Sequence, residues 1–252
     1  MLSSAKVAEL VKSKECVVQD FGPFCYLEMQ KSGSTFVNHF LQQCSLLEVR
    51  KHRKHAPIND EYSDNTFYFI TVRHPLALYS SLFRFGRDSR GDLFNRLKSK
   101  GLAECYSSFG EFVEFVRNPR NASHLGSDYN ERIAEQIGFM SFRFLKLSLK
   151  NPMQQIYATL ADGGRILELE KNFITGLEIK NEALLAGLEM LSTGHLSKYF
   201  DQEKVSSFLV RRERVNASTS THESLAGEAE ELSSMLERED LLFSRYRSTA
   251  DR

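Results

Sequence analysis

Apolar positions in the first hundred residues follow two rhythms. Phe24-Cys25-Tyr26-Leu27-Glu28-Met29 is a short β-prone run ending at a Gly/Ser turn, and beyond it Phe36, Val37, Phe40 and Leu41 recur at helical spacing, so the segment reads strand, loop, helix. Thr66-Phe67-Tyr68-Phe69-Ile70-Thr71-Val72 is continuous and aromatic, the pattern of a strand buried on both faces, and it stops at Arg73-His74-Pro75. Pro75 suits the first turn of a helix, to which Leu76, Leu78, Tyr79, Leu82 and Phe83 give an apolar side. Beyond residue 100 the pattern predicts helices over 108–116, 129–138, 153–160, 181–191 and 223–246, with a third strand over 173–177. The stretch 86–92, "GRDSRGD", reads as a mobile surface loop. Strands alternating with helices predict an α/β fold with a mainly parallel central sheet flanked by helices, whose ligands bind beyond the carboxyl ends of the strands. Lys31 and Arg73 both stand at such ends.

Composition narrows this little. At 252 residues the chain fits one large α/β domain, and 41% hydrophobic with 26% charged residues is ordinary for a globular protein. Thirty-three basic residues balance thirty-three acidic ones, so no global field draws the chain to nucleic acid or to an anionic membrane. Charge is local instead: Arg50-Lys51-His52-Arg53-Lys54-His55 is the densest basic run, residues 83–100 carry a second excess, and 222–240 is mainly acidic. The four cysteines, Cys16, Cys25, Cys44 and Cys105, show no metal-ligand spacing and read as reduced, partly buried thiols. The first sixteen residues lack the apolar core of a signal peptide, and no run of about 18 apolar residues occurs, so the expected setting is cytoplasmic with no membrane partner.

The candidate chemistry lies in Lys31-Ser32-Gly33-Ser34-Thr35. A turn around Gly33 feeding a helix start points several N–H groups at one spot, and the helix dipole favours an anion there. Ser32, Ser34 and Thr35 add hydroxyls and Lys31 a full charge. The plainer alternative is a Ser/Thr N-cap beside a surface lysine. A triphosphate P-loop places its lysine after the second glycine and takes an acidic residue from a nearby strand for Mg²⁺. Here the lysine precedes the only glycine, and 66–72 contains no acid, so the loop suits a phosphate ligand that needs no metal.

The pairing of "QKSGSTF" with "TVRHPLALYSS" resembles the two nucleotide-binding segments of the PAPS-dependent sulfotransferases, in particular the carbohydrate-type branch that includes heparan sulfate 2-O-sulfotransferase. The first segment resembles that family's 5′-phosphosulfate loop, P-K-[STA]-G-[ST]-[ST]. The second resembles its 3′-phosphate segment, a strand ending in R-D-P with a serine eight residues after the arginine, which Arg73 and Ser81 match. Gln30 stands in place of the family's proline, His74 in place of the aspartate and Leu78 in place of a frequent arginine; none of these removes a phosphate donor. "RVNAS" at 214–218 and "EREDLLFSRY" at 237–246 resemble the family's late N-x-S loop and closing helix, and "NFITGLEIKNEALLAGLEML" resembles the segment after its central helices.

The resemblance implies a P-loop-like three-layer fold in one domain over 1–252, with a nucleotide-binding core over about 24–85 plus 205–247 and a helical acceptor side over about 86–200. It implies metal-independent, in-line transfer of a sulfuryl group from 3′-phosphoadenosine 5′-phosphosulfate (PAPS) to an acceptor hydroxyl or amine on a small molecule or carbohydrate, with the bisphosphate PAP as product. Lys31, Ser32, Gly33, Ser34, Thr35 and Phe36 would hold the 5′ end, Arg73 and Ser81 the 3′-phosphate, and Arg214, Asn216 and Ser218 would close over the nucleotide. Lys31 is the expected electrostatic catalyst. His55 is the expected base, because the 2-O-sulfotransferase branch keeps its base between the two phosphate motifs; His52 is the runner-up, and His39 is expected to pack. Two other readings stand beside this one: an atypical P-loop nucleotide kinase, and a non-enzymatic anion- or glycan-binding module that uses the basic run at 50–55.

Overall fold

The structure is a computed structural model and describes residues 18–53, 57–58, 62–194, 196–211 and 237–248. His55, Arg214, Asn216 and Ser218 lie outside the described residues, as does the predicted helix before residue 237. In chain order the strands and longer helices are β1 (Val18–Asp20), β2 (Phe24–Leu27), α1 (Ser34–Cys44), β3 (Lys51–Arg53), β4 (Phe67–Val72), α2 (Pro75–Arg87), α3 (Asp92–Ser99), α4 (Phe109–Arg117), α5 (Phe139–Ser148), α6 (Pro152–Ala161), β5 (Thr175–Lys180), α7 (Leu184–Thr193), α8 (Gln202–Arg211) and α9 (Asp240–Ser248). The fold is mixed α/β. None of the described helices is long and apolar enough to cross a membrane.

The chain forms two compact units. The first, drawn from 1–73, 147–152 and 173–217, holds a five-stranded sheet in the order β3-β1-β2-β4-β5. β2, β4 and β5 run parallel, as the alternation of strands and helices predicts. β1 adds an antiparallel edge, pairing with β2 on one side and β3 on the other. These two strands have three residues each, too short for the period-2 pattern to announce them. β3 lies within the basic run, which puts lysine on the sheet's outer strand, where charge hinders pairing with another chain.

Alternation assigns Phe24, Tyr26, Phe69 and Ile179 to one face of this sheet, where they share a core with Phe40 and Leu41 of α1, Leu188 and Leu191 of α7 and Phe208 of α8. Phe40 stacks on Phe200 with ring centroids 5.6 Å apart and meets Phe208 edge-on at 5.3 Å. Cys25, Tyr68, Ile70 and Val72, on the alternate positions, are buried as well, which accounts for the unbroken apolar reading of β4. The third strand lies two residues later than predicted: Phe173 is held by an isolated bridge to Leu149, and pairing with β4 begins at Thr175.

The second unit, drawn from 74–146, 153–172 and 218–252, is helical in its described residues. Pro75 occupies the first turn of α2 and Ser108 caps α4, its hydroxyl accepting the Glu111 N–H at 3.1 Å. The loop at 86–92 is shorter than predicted: Ser89 and Gly91 turn at positive φ, and α3 starts at Asp92 with an acid in its first turn and Arg96 and Lys98 in its last. Over 129–138 only one α-helical turn forms, Glu131–Ala134, because the Tyr129 hydroxyl donates to the Ile137 carbonyl and the Gly138 N–H leaves for the Arg238 carbonyl at 2.5 Å. α5 escapes the sequence pattern because it is buried on nearly every side, with only Arg143 and Lys146 half-buried, too narrow a polar side to mark a helical period.

Glu239 organises this unit. Its fully buried carboxylate accepts from the Met140 N–H at 3.1 Å, the Ser141 N–H at 2.6 Å and the Tyr79 hydroxyl, and so caps the start of α5 from nearly a hundred residues away. Next to it, the Arg238 guanidinium donates to the carbonyls of Arg117 at 2.9 Å and Ala134 at 3.4 Å. Burial pushes the Glu239 carboxyl above the usual carboxylate range, and its hydrogen bonds to Tyr79, Ser141 and Met140 pull the other way.

Candidate functional site

The carboxyl ends of the three parallel strands carry the residues of interest in the first unit. β2 leads into the turn 30–33, in which Lys31 adopts φ 68° and Gly33 φ 95°, both left-handed. Gly33 is the N-cap of the eleven-residue α1. A Cβ here would be strained by that φ and would come within 2.5 Å of the Asn181 Nδ2, so the position is built for glycine.

Because the cap is glycine, no side chain folds back onto the first amides of the helix. The N–H groups of Phe36 and Val37 reach the Gly33 carbonyl at 3.0 and 3.2 Å. Those of Gly33, Ser34 and Thr35 meet no acceptor among the described residues. Three adjacent amide donors at the positive end of a helix dipole, with Lys31 two residues before the first, make a local demand for an anion. Ser34 is half-buried and Thr35 exposed, so their hydroxyls stay accessible.

The Ser/Thr N-cap alternative does not hold, since neither Ser34 nor Thr35 is the cap and Ser32 turns inward. Ser32 is fully buried; its hydroxyl donates to the Met29 carbonyl at 2.7 Å and bonds the Thr71 hydroxyl at 2.6 Å, which in turn meets the Tyr26 hydroxyl at 2.8 Å. With its one proton given to Met29, Ser32 must accept from Thr71, so the chain runs from Tyr26 to Thr71 to Ser32 to Met29. Burial holds the Tyr26 phenol well above its ordinary pKa, which keeps that proton in place. Ser32, expected among the phosphate donors, is thus a strut that ties the turn to β2 and β4.

Arg73 follows β4, and its Nη1 donates to the Lys31 carbonyl at 3.2 Å. The end of β4 is therefore tied to the turn 30–33 through a backbone oxygen. Asn181, immediately after β5, donates from Nδ2 to the Ser32 carbonyl at 3.0 Å. Lys180 ends β5 opposite Val72 and brings another cation to the same sheet edge. Glu28, nearly buried at the end of β2, accepts from the Asn38 Nδ2 at 3.1 Å and places a carboxylate just upstream of the turn. Thr71, Lys180 and Asn181 were not legible as site residues. Their only sequence signal is position, each standing at or just after the carboxyl end of a β-prone run.

The remaining expectations divide. Phe36 packs edge-on to Phe208 with centroids 5.2 Å apart, and so anchors the first turn of α1. His39 bonds Gln43 at 2.6 Å and packs against Phe208, as expected of a helix-face histidine. The backbone of His52 lies on β3. Ser81 belongs to the second unit, half-buried on the second turn of α2. His74, which replaces the motif's aspartate, is the N-cap of α2 and lies edge-on to Phe243 and Tyr246 of α9 at 5.3 and 5.4 Å. Cys25, Cys44 and Cys105 are buried thiols outside any disulfide, and burial pushes Cys44 and Cys105 up to about 11; Cys16 lies outside the described residues.

Scanned against protein-family models the chain matches none, and neither the curated proteins nor the solved structures give a significant match.

Proposed function

We propose that the turn 31–36 binds the 5′-phosphosulfate end of PAPS and that the chain transfers its sulfuryl group to a hydroxyl or amine of a small-molecule or carbohydrate acceptor. The observation that carries this reading is the glycine-capped start of α1, where three adjacent amides without acceptors stand beside Lys31. The bond from Arg73 to the Lys31 carbonyl supports it further, because it brings the residue expected at the 3′-phosphate next to the loop expected at the 5′ end. Arginine suits that task, since its planar fork matches a phosphate's oxygens.

In the proposed reaction the acceptor oxygen attacks sulfur while the bond from sulfur to the bridging oxygen breaks, and the acceptor's proton passes to His55. Negative charge builds on the bridging oxygen, where Lys31 and the helix amides stabilise it without having to reorganise. On the resemblance alone, Ser81 is proposed for the 3′-phosphate and Arg214, Asn216 and Ser218, which lie outside the described residues, are proposed to bind the nucleotide. The Thr71–Ser32 strut and Asn181 act through the turn's shape and need not touch the ligand.

A donor-consumption assay over a panel of hydroxylated metabolites and glycans tests this reading. PAPS should be converted to PAP only when a suitable acceptor is present. No acceptor-dependent conversion across a broad panel would leave at most a nucleotide-binding protein without turnover.

A further inference from the structure

The peptide between Ser32 and Gly33 lies between two anchored ends. On one side the Lys31 carbonyl accepts from Arg73, the Ser32 N–H reaches the Met29 carbonyl at 3.4 Å, and the Ser32 hydroxyl is held between Met29 and Thr71. On the other, the Gly33 carbonyl closes the first turn of α1 through the Phe36 and Val37 amides. One peptide plane is left between them, and its orientation decides whether an N–H or a C=O joins the amides of Ser34 and Thr35. All of these residues belong to the first unit.

Turning that plane over alters ψ of Ser32 and φ of Gly33 and moves neither anchor, as happens between type I and type II turns. A residue with a Cβ would resist one of the two φ values. Glycine accepts both signs about equally, so the residue that lets the chain adopt φ 95° also removes the local preference against the flip. For an anion the two orientations are opposites: one offers a third amide donor, the other a carbonyl oxygen with its partial negative charge.

Asn181 is the group that selects between them. Its Nδ2 donates to the Ser32 carbonyl at 3.0 Å, and only the nitrogen can face that oxygen, because the Oδ1 of the same amide accepts and does not donate. The peptide is trans, so a carbonyl held on Asn181 aims the Gly33 N–H the opposite way. The amide also lies against Gly33 itself, 2.5 Å from where a Cβ would stand, with Leu184 Cδ2 3.2 Å from the same point. Its own place comes from the sheet: Lys180 pairs with Val72 at the end of β5, and Asn181 follows directly. We propose that Asn181 is a positioning residue, a latch that keeps the Ser32–Gly33 peptide with its N–H toward the phosphosulfate and its carbonyl away. The role rests on the reading that such an anion lies against the turn, but the latch is a property of the backbone and can be observed without a ligand.

Crystal structures of the ligand-free parent and of Asn181→Ala, with calorimetry on both, test it. In the parent the Ser32 carbonyl should face Asn181; in the alanine variant it should be reversed or divided between two orientations. Asn181→Ala should weaken adenosine 5′-monophosphate and adenosine 3′,5′-bisphosphate by the same factor, about fivefold or more, the equivalent of one hydrogen bond. The preference for the bisphosphate should survive, because the latch acts at the 5′ end only. Asn181→Asp keeps the shape of the side chain and its packing against Gly33 but sets an oxygen against the carbonyl. It should weaken both nucleotides at least as much, which loss of packing would not explain. A parent that binds neither nucleotide, with the carbonyl still reversed in the alanine variant, would support the latch and refute the nucleotide reading. A Ser32 carbonyl that keeps its direction in the alanine variant would overturn the latch, whatever the affinities, and leave the nucleotide reading as it stands.

Discussion

Replacing Lys31 by alanine is expected to lower turnover in the donor-consumption assay by about 10²-fold or more, equivalent to about 2.7 kcal/mol of transition-state stabilisation. The size follows from removing one preorganised positive charge aimed where charge develops. Stability should barely move, since both residues carry a Cβ into the same left-handed backbone at φ 68°. Glycine at this position sharpens the experiment. Lys31→Gly removes the same charge but relieves a conformation that costs an L-residue about 1–2 kcal/mol, so it should match alanine in lost turnover while being at least as stable as the parent. Lys31→Arg, which keeps a charge, should recover part of the rate. Turnover of the alanine variant within about threefold of the parent would remove Lys31 from the chemistry.

Glu239→Ala carries the largest expected effect on stability. Removing the carboxylate leaves the Ser141 N–H and the Tyr79 hydroxyl proton buried without an acceptor and the Met140 N–H with only its longer bond, 3.3 Å, to the Tyr79 oxygen. Breaking such a buried charged network costs about 3–5 kcal/mol, which corresponds to a fall of roughly 10 °C in melting temperature for a chain of this size. Glu239→Gln should fall between, because it retains one acceptor but turns an NH₂ group toward the Ser141 N–H. The pH dependence has a definite sign. With the folded pKa raised by burial, folding takes up a proton, so this group's contribution is fully present below the usual carboxylate value of about 4.3 and is lost as pH rises through the folded value. Stability measured by urea unfolding should therefore decline across weakly acid pH in the parent, and the glutamine variant should lack that decline. An alanine variant as stable as the parent, or an unchanged slope in the glutamine variant, would show that Glu239 does not hold this unit together.

What could be read from the chain and what could not follows from the range of each interaction. The turn before α1 was legible because a strand that ends at a glycine and gives way to a helical pattern needs particular residue types at consecutive positions. β4 was legible because a strand buried on both faces needs an unbroken apolar run. Asn181 was not, since its grip on the Ser32 carbonyl depends on β5 lying beside β4, a pairing between residues more than a hundred apart. Thr71 reads as one more β-branched strand residue until the register sets it against Tyr26 and Ser32. Ser32 reads as a donor to phosphate because its neighbours are such donors, and only the strand behind it shows where its hydroxyl goes. Glu239 sits in an acidic stretch that looks solvated, and nothing local marks it as the cap of a helix nearly a hundred residues earlier. The motif was local and could be seen; its scaffold was not.

Whether one 3′-phosphorylated nucleotide is held jointly by the turn 31–36 and Arg73 can be decided by calorimetry in the presence of EDTA. Adenosine 3′,5′-bisphosphate should bind once per chain and about tenfold or more tighter than adenosine 5′-monophosphate, the equivalent of one charge-assisted phosphate contact. Arg73→Ala should erase that preference, while Lys31→Ala should weaken both ligands alike. Tight binding of ATP that requires Mg²⁺ with none of the bisphosphate, or a 3′-phosphate preference that survives Arg73→Ala, would contradict it.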